Sequence, residues 1–529
     1  MTFIQFGFFV FLIAAVILFY ICPVQHRWKA LLAISIVFYA IAGLKYLPFI
    51  FVTSFSVYLA GRKMGQIYEE QDKKLQTEGL SRKEQKAIKE NDKKRCKKII
   101  IGLLALNVGI LSVVKFTKFF VDPINDLIRF MGGDGTFSAA YIIVPLGISY
   151  YTFTSLSYLL DVYWKRETYE KSYFRFLLYV IYFPHILQGP IERYGRLGQR
   201  LKQELRFDYD RVVSGLQLML WGYFKKLVIA DRIDILISGI YDGYQNTAGA
   251  ILVLAMFLDV VYIYADFSGC MDIARGVSAI FGVELDLNFN HPFSSKSVVE
   301  FWRRWHMSLG SWFKDYVYYP VSTSDLVKNI SKSARGKLSP RLIRSIITVI
   351  PVSVTWILTG VWHGTGKTYV AWGIYYAFMI FMSVTFEEDF KKLAKVLKIN
   401  TEADSWKWFQ MIRTTCIFAG GRLLTRPGSL RASWNIFKRA ISAPNPWALL
   451  DGSIFNFGLD KPDILLALVC ILIFGFVSHL EQKGSVREML AKQNMLFRWG
   501  IWLILIFTVL VFGIYGPGYD AASFVYMAY

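Results

Sequence analysis

Long apolar runs alternate along the chain with short polar, mostly basic stretches, and the length of the runs sets the class of the fold. About 20 apolar residues are needed to carry a helix across a bilayer. Runs at 3–22, 29–59, 99–120, 141–160, 173–187, 212–230, 250–267, 346–358, 369–386, 406–418, 464–479 and 499–515 approach or reach that length. Lys45 and Pro48 interrupt the second run, so it reads as two short segments. The pattern predicts an all-α integral membrane protein with about eleven transmembrane helices plus short or re-entrant helices. No tandem repeat, inverted repeat or long linker divides it, so one polytopic membrane domain covers 1–529. The first run has no basic flank before it and no small-residue cleavage site after it, and reads as a retained span.

One interval breaks the pattern. Residues 264–320 are too polar for a simple span and too aromatic for an ordinary loop. Backbone of that kind is tolerated at membrane depth only when buried in protein or lining a watery cavity. Short or re-entrant helices are expected there, and with them the function. Residues 122–136, by contrast, read as a plain loop.

Composition sharpens the class. Of 529 residues 54% are hydrophobic, only 19% are charged, and the formal net charge is +21. In a soluble protein that charge would point to nucleic acid. Here it is concentrated between apolar runs, as in cytoplasmic loops facing anionic lipid. Residues 62–98 hold 13 Lys/Arg against 7 Asp/Glu, 322–344 hold 6 against 1, and 422–439 hold 5 against none. All three read as cytoplasmic, and no nucleic-acid partner is expected. The 62–98 stretch reads as a surface helix continuing into the next span, the alternative being a solvated, partly disordered loop. The 15 Trp and 31 Tyr read mainly as interfacial belt and packing. Five widely spaced cysteines form no CxxC pair and no disulfide framework, and read as small buried hydrophobes.

The stretch LTGVWHGTGKT (358–368) carries two competing signals. A phosphate-binding loop needs Gly, four residues, then Gly-Lys-Ser/Thr. Here the opening position is Val361, and apolar runs flank both sides, so the nucleotide reading fails. The histidine reading survives. Six histidines are present, and His363 and His306 lie in exceptional surroundings, the former flanked by Trp362 and Gly364, the latter in EFWRRWHMSLGSWFKDY. Histidine titrates near neutrality and can act as a general base in a desolvated site. Flanking glycines would let a substrate come close. The structural alternative for each is a buried histidine bonded to a carbonyl. His26, His185, His291 and His479 read as interfacial or loop residues. Neither His306 nor His363 has a helically spaced carboxylate or second histidine, so no metal site is expected.

Four segments carry a family resemblance. VEFWRRWHMSLGSWFKDYVYYPV (299–321) and LTGVWHG (358–364) resemble the paired signatures of membrane-bound O-acyltransferases. The bacterial branch containing the alginate O-acetyltransferase membrane component and the teichoic-acid D-alanyltransferase is most similar. YFPHILQGPIERY (182–194) and YADFSGCMDIARG (264–276) resemble further segments of that branch, and the terminal SFVYMAY is a fainter echo. The motif-bearing core covers about 140–375. Residues 380–529 match in hydropathy alone, and GRLLTRPGSL departs from the expected Phe-Phe-Arg-Ala pattern.

The resemblance implies a ring of tilted helices around a thin partition, with a central tunnel open to both faces. It implies that His363 is the principal catalytic histidine and that His306 is the second signature position. A thioester donor, acetyl-CoA foremost, would enter from the cytoplasm of a bacterial cell. An extracytoplasmic polysaccharide hydroxyl would accept the acetyl group, directly or through an exported acetyl-transfer partner protein. His363 would deprotonate the hydroxyl, and His306 would polarise the thioester carbonyl or hold the thiol end. Trp302, Trp305 or backbone N–H groups near Gly364 would face the oxyanion. Arg303, Arg304 and Lys314 would meet donor phosphates, the alternative being lipid contact by snorkelling. Asp266, Asp272 and Arg275 would give structural support, with Asp272 and Arg275 neighbours on one helix face. Glu192 and Arg193 read the same way. The alternatives are D-alanyl transfer from a carrier protein to teichoic acid, and, in other classes, a non-catalytic polysaccharide or solute transporter or a scaffold of an envelope complex.

Overall fold

A computed structural model describes residues 2–76, 80–133, 145–364 and 366–516. The terminal SFVYMAY and the start of the 141–160 run lie outside the described residues. Among the described residues the secondary structure is helical, with no strand. Eight of these helices are long and apolar enough to cross a membrane. The difference from about eleven has visible causes. The 29–59 run is divided between Arg27–Ala42 and Leu47–Leu75, as its Lys and Pro imply. The 173–187 run breaks into Tyr173–Ile181 and Phe183–Ile186, both too short to span. Asp404–Thr425 carries Asp404, Lys407, Arg413 and Arg422, which lower its hydropathy.

Packing divides the chain into two compact units. The first comprises 1–216 and 274–286, the second 217–273 and 287–529. In the first, Arg82–Phe130 runs for 49 residues. At 1.5 Å per residue it is roughly 70 Å long, more than twice a bilayer's hydrocarbon core. Its start is fixed by Ser81, which forms a reciprocal capping box with Glu84. The basic 62–98 stretch is therefore mostly helix, continuous with the apolar runs on both sides. Gln71 Nε2 donates to Asp92 at 3.2 Å, tying the two helices beyond their apolar parts. The loop expected over 122–136 is instead helical as far as Phe130.

Deeper in this unit Tyr158, Phe176, Tyr179 and Tyr194 form an aromatic knot. The Tyr179 hydroxyl donates to the Glu192 carbonyl at 2.9 Å. Glu192 in turn accepts from Asp286 N–H at 2.7 Å, a supporting position as its sequence context implied. Arg275 falls in this unit.

The second unit carries the exceptional interval except for 274–286. Its first part, 264–280, is not re-entrant but completes the 32-residue helix Gly249–Ile280. Short helices then follow as expected: Val298–Arg304, Met307–Phe313 and Tyr319–Ser322. Pro340–His363 and Lys367–Thr385 make an antiparallel hairpin, with Arg341 at its open end donating to the Thr385 carbonyl at 3.1 Å. Asp404–Thr425 returns beside it, with Tyr375 donating to Ile417 O at 2.8 Å and Tyr376 to Phe418 O at 3.3 Å. Three antiparallel passes put Arg341 and Arg426 at opposite ends of this group. The basic stretches 322–344 and 422–439 therefore cannot face the same side. Arg422 and Arg426 are not loop charges at all, because both are turned inward onto Asp259.

Candidate active site

The helix Pro340–His363 ends at the histidine because Gly364 turns extended there. The hairpin closes on small residues. A Cβ at Gly360 would stand 2.3 Å from the Tyr369 carbonyl oxygen, and one at Gly373 2.5 Å from that of Trp356. At Gly364 it would meet the Tyr369 ring at 2.2 Å. The glycines beside His363 thus serve close helix approach. The space at Gly364 is filled by protein, not left open for substrate. His363 is buried, with its ring edge-on to Trp362 and Trp372 at 4.7 and 5.2 Å between centroids.

His306 sits between two short helices in a left-handed conformation, φ +46°. A non-glycine residue holds that geometry only where the surroundings impose it. Asn288 imposes it. The Asn288 carbonyl accepts Met307 N–H at 2.9 Å. Its side-chain Oδ1 accepts from Ser308 N–H at 3.0 Å, from the Ser308 hydroxyl at 2.9 Å, and meets His306 Nδ1 at 3.2 Å. A backbone N–H can only donate, so the atom it meets is the amide oxygen, and His306 Nδ1 must then carry the proton. His306 lies outside the spanning helices. Burial pushes its pKa down to about 3, so the ring is neutral at physiological pH. Neutral and protonated at Nδ1, it offers Nε2 as an acceptor, with no proton there to give a carbonyl. Its ring packs on Phe267 at 4.8 Å and on Trp362 at 6.3 Å, so Trp362 lies against both histidines.

Both histidines line one cavity of about 770 Å³. Trp302, Trp305, Arg303 and Lys314 line it as well. Trp302 Nε1–H is buried with no acceptor among the described residues. Arg304 is not in the lining: it donates to Glu300 Oε1 at 2.6 Å, one turn back on its own helix. Arg422, read from sequence as a loop charge, does line the cavity. Its guanidinium forks onto Asp259, Nε to Oδ2 at 2.8 Å and Nη2 to Oδ1 at 3.0 Å. That pairing offsets the charge of Arg422, and Arg303 and Lys314 are the other cations of the lining.

The supporting carboxylates find partners that spacing did not suggest. Lys226 Nζ lies 2.7 Å from Asp266 and 2.8 Å from Asp231. Lys225 donates to Asp272 at 2.6 Å and to the Ser268 hydroxyl at 3.0 Å. Two adjacent lysines can both point inward because Phe224–Ala230 is a π turn, which inserts an extra residue into the helical repeat. Asn288, Lys225, Lys226 and the Asp259–Arg422 pair were all missed from sequence. The signal available was only a polar residue in an apolar or aromatic setting.

The membrane-bound O-acyltransferase family profile matches residues 149–335. A probable alginate O-acetylase AlgI of Pseudomonas aeruginosa is 27% identical over 75% of this chain and 70% of its own length. The peptidoglycan O-acetyltransferase of Helicobacter pylori is 26% identical over 64% and 61% respectively. The teichoic acid D-alanyltransferase of Bacillus subtilis is 30% identical over 53% and 65%.

Proposed function

For a chain whose residues 149–335 match the membrane-bound O-acyltransferase family, we propose transfer of an acetyl group from a cytoplasmic thioester, acetyl-CoA, to a hydroxyl of an extracytoplasmic polysaccharide. The observation that carries the reading is the pair of buried histidines lining one cavity together with Arg303 and Lys314. The multi-pass chain would sit in a bacterial cytoplasmic membrane, and an exported partner protein would take the acetyl group first where the polymer is not acylated directly.

An alcohol is a poor nucleophile until a base takes its proton during attack. His363 is that base. The acceptor oxygen bonds to the acetyl carbonyl carbon, the C–S bond breaks, and the proton held by His363 passes to the departing thiolate. Trp302 Nε1–H, a buried donor without an acceptor, faces the charge that develops on the carbonyl oxygen. Once the departing thiolate has been protonated, His306 Nε2 accepts the S–H of the product thiol, the role its tautomer suits. Arg303 and Lys314 meet the donor's phosphates.

The second reading, D-alanyl transfer to teichoic acid, is favoured by the 30% identity to the Bacillus subtilis enzyme. His363→Ala should lower surface-bound ester by about 10²–10⁴-fold in rate, the usual worth of a general base. The measurement is ester on cell-surface polymers at matched membrane expression, followed by purified enzyme supplied with acetyl-CoA or a D-alanyl carrier thioester. Unchanged ester would remove His363 from catalysis, and turnover of only the D-alanyl donor would select the second reading.

A further inference from the structure

The second unit holds another cavity, smaller and more polar, of about 440 Å³. Its size is within the ~300–1,000 Å³ of small-ligand sites. Asp234, Ser238, Tyr241 and Asp242 reach it from the helix Asp231–Asp242, and Tyr244, Arg426, Pro427 and Ala432 complete the lining. Asp234, Ser238 and Asp242 recur at every fourth residue and so share a helix face. Arg426 is fixed between two elements. Its guanidinium contacts the Asp234 carboxylate, donates to the Ser238 hydroxyl at 3.1 Å, and lies 3.8 Å from Asp259. Tyr241 is only 7% exposed, yet its hydroxyl meets no hydrogen-bond partner among the described residues. Tyr241 thus adds an uncommitted hydroxyl, on an otherwise buried ring, to a wall that is organised elsewhere.

Two features define what fits. The lining carboxylates outnumber the one guanidinium, which Asp234 and Asp259 already engage, so an anion is disfavoured. A metal cation is disfavoured too, because Arg426 occupies Asp234. What remains is a neutral ligand offering several donors and acceptors at once. The position supplies the context. Arg426 and Arg422 are four residues apart, one helical turn or ~6 Å. Arg422 lines the transfer cavity, and Asp259 holds both. This end of Asp404–Thr425 is opposite the end marked by Arg341 and the basic 322–344 stretch. With that stretch in the cytoplasm, the second cavity is on the acceptor's side.

Resting on the acyltransferase reading, we propose that this cavity is an acceptor subsite for a neutral, hydroxyl-rich sugar unit next to the one being acylated. Tyr241 and Ser238 hold its hydroxyls, and the carboxylates exclude uronic acids.

The test uses full-length protein in nanodiscs and saturation-transfer NMR, with a β-linked glucose disaccharide as probe and its glucuronic-acid counterpart as comparison. The glucose disaccharide should bind. Tyr241→Phe and Ser238→Ala, each checked as monodisperse protein, should weaken it about fivefold, the worth of one hydrogen bond. His363→Ala should bind it as wild type does, which separates this site from the catalytic assignment. Absence of binding, retention of full binding by both cavity variants, or equal binding of the uronic-acid sugar would overturn the proposal.

Discussion

One amide oxygen decides how His306 can act. Asn288 Oδ1 gathers two donors from Ser308 and the Nδ1 proton of His306, which fixes the tautomer as well as the ring. Asn288→Asp would place a carboxylate on that proton and favour imidazolium. The pKa of His306, pushed down to about 3 by burial, would rise. Nε2 would then be protonated as the pH falls toward the new value. A pH–rate profile of the variant should therefore lose activity on the acid side, where wild-type His306 stays neutral. An identical acid limb in both would show that Asn288 does not set the state of the ring. The same scale shows why motif reading reached the histidines but not their support: LTGVWHG and EFWRRWHMSL are contiguous, whereas Asn288 is 18 residues before His306 and meets it only through a left-handed turn.

At the scale of the element, the hairpin of Pro340–His363 and Lys367–Thr385 is the part that presents His363. Its two helices meet backbone to backbone at Gly360 and Gly373, and Gly364 lies against the Tyr369 ring. Gly360→Ala forces a methyl against the Tyr369 carbonyl oxygen, 2.3 Å from the ideal Cβ. Overpacking of this kind costs about 1–3 kcal/mol, so Tm in detergent and acyl transfer should fall together. Gly475→Ala is the control: nothing lies within 4 Å of its Cβ position, and alanine is the better helix former. An unshifted Tm for Gly360→Ala would mean that the hairpin can open to accommodate it. The glycines were legible as a cluster. Their purpose was not, because a flanking glycine that admits substrate and one that admits a tyrosine ring look alike in sequence.

For the whole molecule, the buried charges show how far apart in sequence the supporting partners stand. Arg422 meets Asp259 across 163 residues, and Lys226 meets Asp266 across 40. Removing one partner of such a pair strands the other and costs about 3–5 kcal/mol. Asp259→Ala should therefore lower Tm and membrane yield well beyond a surface control such as Asp325→Ala, whose carboxylate is 95% exposed. Equal Tm for the two would show that water reaches and screens the two arginines. The pairing also explains why 322–344 and 422–439 could not both be assigned to one side from charge alone. Positive charge counted along a chain reports topology only when it faces solvent and lipid, and two of the five charges in 422–439 face Asp259.

Sequence by itself was enough for the all-helical membrane class, the continuity of 62–98 with the next run, the short helices after 298 and the singling out of two histidines that share a cavity. Each of these is a property of residues close together in the chain: an apolar run, a capping box, a contiguous motif. Tertiary structure alone decided the number and length of the helices, the tautomer of His306, the role of the glycines and the placing of Arg304 outside and Arg422 inside the transfer cavity. Those depend on which side chain of a distant helix arrives opposite, and a buried charge or donor takes the partner that packing brings within hydrogen-bond reach.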